Sequence, residues 1–170
     1  MARIAYPDLK ATEIAPLVAR IERERGKVLN LYRMLLHSPP VAEGWLAFLT
    51  AIRQKGVLSG HIRELVIMRI AVLNGADYEF RAHAPFALAE GISQAQIDAL
   101  TQGGTDAFGD VERSVLAYCD AMTRGVHVPQ AVFDAVRPHF SEREIVELTA
   151  TIGAYNLVSR FLEALQVDHE

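Results

Sequence analysis

Residues 64–83 read ELVIMRIAVLNGADYEFRAH. The first half is apolar at nearly every position, which predicts a helix buried around most of its circumference rather than an amphipathic surface helix. Asn74-Gly75 then breaks the pattern. Between two helical segments this pair reads as a helix C-cap, not as a hairpin turn. The next segment sets Glu79 and His83 four residues apart, about 40° around a helix of 3.6 residues per turn, so a carboxylate and an imidazole share one face. Glu64 stands near the start of the buried helix, from which it can join them.

Helical periodicity continues outward in both directions, and no segment sustains strand alternation. The pattern predicts helices over 11–25, 28–37, 40–55, 60–74, 76–90, 93–102, 110–125, 129–138 and 141–166. Ser93-Gln-Ala-Gln96 and Ser141-Glu-Arg-Glu144 match the capping box, in which a Ser hydroxyl and the side chain three residues on satisfy free backbone N–H groups. Pro39, Pro40 and Pro129 suit first-turn positions. Gly26, Gly56, Gly75, Gly91 and Gly125 fall where apolar patterns end. Pro85 lies inside a predicted helix, where its ring removes one backbone hydrogen bond and favours a kink. No Pro-, Gly- or Ser-rich linker divides the chain, so the expectation is one all-α domain over residues 1–170.

Composition narrows the function classes. The 170 residues are 51% hydrophobic and 22% charged, which suits a folded core. A net charge of -4 argues against nucleic acid as a partner. The run Arg20-Ile-Glu-Arg-Glu-Arg-Gly-Lys27 alternates its signs and reads as a solvated helix face. Cys119 is the single cysteine, so one chain holds neither an internal disulfide nor a CxxC pair. No signal-like or membrane-spanning run is present, and the expected location is the cytoplasm. Wide apolar stripes, such as Trp45, Leu46, Phe48, Leu49 and Ile52, favour self-association.

Glu64, Glu79 and His83 are the candidates for chemistry. Two carboxylates and a histidine in a largely apolar pocket suit general acid–base work near neutral pH, and Tyr78 adds a phenolic donor nearby. The alternative is that Glu79 and His83 form an ordinary surface pair worth a few tenths of a kcal/mol. Phe80, Ala82, Ala84 and Phe86 around them point toward burial, and on the residues alone both readings stand. A metal site is a further option, since His61 and Glu64 are three residues apart. Carboxylate-bridged di-iron bundles, however, use Glu-x-x-His, whereas this chain has His-x-x-Glu and Glu-x-x-x-His. His61 is expected to be exposed at the helix start, so no metal is expected. Cys119, in line with Leu116 and Met122, reads as core packing. His127 and His139 read as solvent-facing, and His37 as a helix C-terminal cap.

Arg63-Glu-Leu-Val66, Asn74-Gly-Ala-Asp-Tyr-Glu79, His83 and Ala87-Leu-Ala-Glu-Gly-Ile-Ser93 resemble the carboxymuconolactone decarboxylase family, most strongly over residues 40–125. That family shares its helical fold with the alkylhydroperoxidase D-like proteins. The closing segment Tyr155 to Leu165 resembles the end of single-domain members. Aligned on Glu64 and His83, the two redox cysteines of the peroxidase branch fall at Ala76 and Glu79, so both thiols of that motif are missing. A Glu at the second position is the pattern of the decarboxylase branch. The resemblance implies a cofactor-free enzyme acting on a small, carboxylated and hence anionic substrate of aromatic-acid breakdown. In it, His83 and Glu79 would shuttle protons and Glu64 would orient His83 or a water. It also implies a trimer or hexamer. Arg69, Arg81, and Arg160 with Asn156 are the candidates for holding the anion. The rival on the same fold is an antioxidant peroxidase-like protein, and a third reading is a non-catalytic binding or assembly protein.

Overall fold

Every regular element of the computed structural model, which describes residues 1–170, is a helix. In chain order these are α1 (Ala15–Arg25), α2 (Asn30–Leu35), α3 (Pro39–Thr50), α4 (Gly60–Asn74), α5 (Asp77–Ala89), α6 (Gln94–Thr101), α7 (Asp110–Arg124), α8 (Gln130–Val136) and α9 (Glu142–Leu165). The expected all-α class is what the chain adopts, and each of the nine predicted segments overlaps one of these helices. Two ends differ. The segment expected to run as one helix to residue 55 changes to a π-helical turn over Ala51–Lys55, and α8 gives way to a 3-10 turn over Arg137–His139. Pro138 sits inside that second turn, where its missing N–H and ring do not permit α-helix to continue. Pro85, by contrast, leaves α5 as one continuous helix.

The residues group into two compact units, Met1–Lys55 with Leu162–Glu170, and Gly56–Phe161. In the first, the Arg3 N–H donates to the Leu165 carbonyl at 2.9 Å and the Tyr6 hydroxyl meets the Asp168 carboxylate at 3.1 Å, tying the two chain ends together. His37, expected as a helix cap, donates from Nε2 to the Ala5 carbonyl instead.

The second unit is built on α4, which packs against α5, α6 and α7. Its residues Leu65 to Ile70 are all buried, as a helix apolar on every side requires. Leu65 and Met68 join Ala87 of α5, Ile97 and Leu100 of α6 and Leu116 of α7 in one cluster with Ile92 and Phe108. At the start of α4 the Ser59 hydroxyl accepts from Ile62 N–H at 3.3 Å. At its end Gly75 takes the left-handed conformation, with φ at 64°. The Ala76 N–H then reaches the Ala71 carbonyl at 2.8 Å and the Gly75 N–H reaches Val72 at 3.2 Å, the pair of bonds of a Schellman motif. Only two residues therefore separate α4 from α5, and this tight turn fixes where Glu79 and His83 lie relative to Glu64. Both predicted capping boxes form, at Ser93 with Gln96 and at Ser141 with Glu144.

Gly75→Ala is expected to lower stability by about 1 kcal/mol, because no atom lies near its added Cβ and only the left-handed backbone resists it. Gly44→Ala, in the interior of α3 with equally open space, is expected to raise stability by about 0.5–1 kcal/mol. Denaturant midpoints of the two variants check the opposite signs.

Candidate acid–base site

Glu64 and His83 meet directly. His83 Nδ1 lies 2.7 Å from Glu64 Oε2, and both side chains are buried. A carboxylate only accepts, so Nδ1 carries the proton. In the neutral imidazole this leaves the lone pair on Nε2. The ring is held on two further sides by aromatic groups. Tyr155 of α9 packs edge-on with centroids 5.2 Å apart, and Phe86 of α5 is tilted at 5.9 Å. Phe86 itself is half exposed, which places the imidazole one ring from solvent. Glu79, one helical turn before His83 on α5, is buried, as is Tyr78. The expectation of a surface pair does not fit these burials.

The second oxygen of Glu64 has its own neighbour. Arg63 Nε is 3.3 Å from Glu64 Oε1, and Arg63 Nη2 is 3.6 Å from Glu90 Oε1. In the sequence Arg63 is visible only as part of the Arg63–Val66 motif. Consecutive helical residues diverge by about 100°, so adjacency in sequence carried no sign of this contact. Tyr155 was likewise legible only as one member of an apolar stripe.

The remaining candidates lie elsewhere in the unit. Arg69 is buried in α4 and forms a two-toothed ion pair with Asp120 of α7, each contact at 2.7 Å. The Asp120 hydrogen bonds raise the Arg69 pKa against the opposing effect of burial, so the guanidinium stays charged. Arg81 is exposed and pairs with Asp77 at 2.8 Å on the same helix. Asn156 belongs to a polar network: its amide donates to Thr123 Oγ1 at 3.0 Å, and its oxygen accepts from Asn74 Nδ2 at 3.1 Å. Arg160 is exposed and donates to the Asn156 carbonyl at 3.0 Å. The structure thus joins Glu64 to His83, sets Glu79 and Tyr78 on the adjoining turn, and gives Arg69, Arg81, Asn156 and Arg160 other partners.

His61 departs from expectation. It is half-buried, not exposed, with Nε2 at 2.6 Å from Glu112 Oε1 and Nδ1 at 3.1 Å from the Glu90 carbonyl. It turns to α7 and the end of α5 rather than joining Glu64, and no three His, Cys, Asp or Glu side chains are grouped to hold a metal ion. Cys119 is fully buried, with Sγ 3.8 Å from the Val66 carbonyl, and burial pushes its thiol up to about 12. His127 and His139 are exposed as expected.

With this geometry in place, comparison with known proteins agrees with the sequence motifs. Residues 39–121 match the carboxymuconolactone decarboxylase family. Among solved structures, a protein of unknown function from Agrobacterium tumefaciens, proposed as an antioxidant defence protein AhpD, is 26% identical with a TM-score of 0.72, covering 79% of this chain and 93% of its own. A peroxidase-related protein from Ralstonia eutropha JMP134 with an alkylhydroperoxidase AhpD core is 20% identical with a TM-score of 0.83, covering 99% and 92%. The debrominase Bmp8, as a cysteine-to-alanine variant in complex with 2,3,4-tribromopyrrole, is 18% identical with a TM-score of 0.80, covering 100% and 94%. The fold is therefore the AhpD-like helical fold. No curated protein matches the chain. No helix is long and apolar enough to cross a membrane.

Two outcomes follow from the buried groups. Asp120→Ala, which strands the Arg69 charge, is expected to cost about 3 kcal/mol, while Arg124→Ala, removing an exposed partner 3.6 Å from the same carboxylate, costs under about 0.5 kcal/mol. Paired urea titrations check the contrast. For Cys119, the unfolded thiol ionises near its ordinary value of 9.0 and the native one near 12, so between those values the native state binds more protons. Stability is therefore expected to fall as pH rises from about 9, by no more than about 1.4 kcal/mol per pH unit. Cys119→Ala removes that part of the slope in melts taken between pH 8 and 11.

Proposed function

We propose that the protein is a cofactor-free acid–base enzyme with decarboxylase-type or lactone-type chemistry on a small carboxylated substrate. The observation that carries the reading is the buried Glu64–His83 hydrogen bond at 2.7 Å, which fixes one imidazole tautomer. In the decarboxylation of a β,γ-unsaturated acid, the bond from the α-carbon to the carboxylate breaks and CO₂ leaves. Its electron pair becomes the new α,β double bond, and the old double bond takes a proton at the γ-carbon. Glu79 delivers that proton, and His83 Nε2 relays its replacement while Glu64 holds the ring. Positioned proton transfer of this kind contributes about 10²–10⁴-fold to rate. The family match supports the reading, and so does the presence of Glu79 where the peroxidase branch resemblance would place a thiol.

The names of two structural neighbours favour a second reading, an antioxidant peroxidase-like protein. Such a cycle needs a thiolate nucleophile. The one thiol here is buried in the core and pushed up to about 12, which speaks against it.

The test is incubation with carboxymuconolactone in deuterated water, following CO₂ release and deuterium incorporation at carbon. Wild type is expected to show both, with His83→Gln and Glu79→Gln slower by 10²-fold or more. Equal rates in wild type and His83→Gln would sink the acid–base reading. Peroxide consumption lost in Cys119→Ser would favour the second.

A further inference from the structure

Arg63 and His83 lie on opposite oxygens of one carboxylate. Arg63 Nε is 3.3 Å from Glu64 Oε1, and His83 Nδ1 is 2.7 Å from Glu64 Oε2. The Arg63 side chain is mostly buried, at 16% exposure, so its charge is only partly screened. Its outer nitrogen is steadied by Glu90 at 3.6 Å. The Glu90 carboxylate reaches that position across Gly60, where a Cβ would come within 2.1 Å of Glu90 Cδ. A backbone position without a side chain thus lets a surface carboxylate orient the arginine that faces the buried one.

We infer that Arg63 is a positioning residue of this site, sharing the Glu64 carboxylate with His83 so that His83 stands as an uncharged base. The inference deepens the acid–base reading and rests on it. An imidazole facing a lone carboxylate away from water gains by taking a proton and forming an ion pair. With a guanidinium on the other oxygen, the carboxylate is already compensated, and an imidazolium would sit beside a like charge. The neutral ring then keeps its proton on Nδ1, toward Glu64. Against the His83 ring stand Glu64 of α4 and Tyr155 of α9, with Arg63 on the far oxygen of Glu64 and with Glu79 and Tyr78 buried one turn earlier on α5.

The experiment is a nitrogen-15 NMR titration of the His83 imidazole, assigned through His83→Gln, in the full chain without substrate. Arg63→Gln is expected to move the His83 midpoint upward on the order of one unit. Arg63→Lys, which keeps the charge on a different head group, is expected to restore most of the wild-type midpoint. Arg81→Gln, which removes an exposed arginine two residues from His83 in sequence, is expected to leave it in place. An unmoved midpoint in Arg63→Gln overturns the inference, as does an equal shift in Arg81→Gln, which would make the effect one of overall charge. Arg63→Met, which keeps the apolar stem, serves the same test where Arg63→Gln does not fold. Because the titration uses no substrate, its failure is distinguishable from failure of the acid–base reading, which is read from isotope exchange.

Discussion

The second unit depends on one constraint: α4 is buried on every side, yet it carries two charged side chains within its buried stretch. Removing a carboxylate or guanidinium from water costs several kcal/mol unless partners replace the solvent. Glu64 meets that demand through His83 and Arg63, and Arg69 meets it through Asp120. The two solutions differ in kind. Asp120 grips Arg69 with both oxygens, a closed pair that pins α7 to α4. Glu64 divides its oxygens between a guanidinium and an imidazole. A carboxylate shared in that way is suited to orienting an imidazole, whereas the Arg69–Asp120 pair is suited to holding helices together.

The turn between α4 and α5 determines how closely Glu64 and His83 can approach. Gly75 in the left-handed region lets the chain reverse within two residues while the last α4 carbonyls find donors. A longer connection would satisfy the same backbone groups but would leave the register of α5 to side-chain packing alone. Here the register is set twice, by the Schellman bonds and by the cluster in which Ala87 packs with Leu65 and Met68. The His83–Glu64 hydrogen bond then joins two positions that the backbone has already brought together, so little ordering cost falls on the pair itself.

What could be read in the sequence follows from how local the signal is. Buried helices, caps and the spacing of Glu79 and His83 are encoded within a few residues, and so they were legible, down to both capping boxes. Glu64 was legible as a participant because it opens the apolar run whose burial the pattern predicts. Partners across helices were not. Nothing in the sequence around residue 69 points to Asp120, fifty-one positions away. His61 was expected to be exposed because it begins a helix, but its surroundings come from α7 and the end of α5. Arg63 was missed for the opposite reason. It is adjacent to Glu64, and the rule that neighbours on a helix point apart fails when a long side chain can fold back along its own helix.

The same fold is found in neighbours described by peroxidase or debrominase names, at identities where likeness speaks for architecture and not for chemistry. The distinction is physical. In this chain the α4–α5 pair holds His83 by the Glu64 carboxylate, and the group one turn before the histidine is a carboxyl and not a thiol. A thiol there would make the histidine an activator of a nucleophile. In the proposed acid–base reading, a carboxyl there, as in Glu79, makes it one of two proton carriers. His83 touches a carboxylate that Arg63 also contacts, and Glu79 stands one turn earlier on the same helix. Under the proposed reading, the residue at position 79, and not the core that positions it, decides which chemistry the site supports.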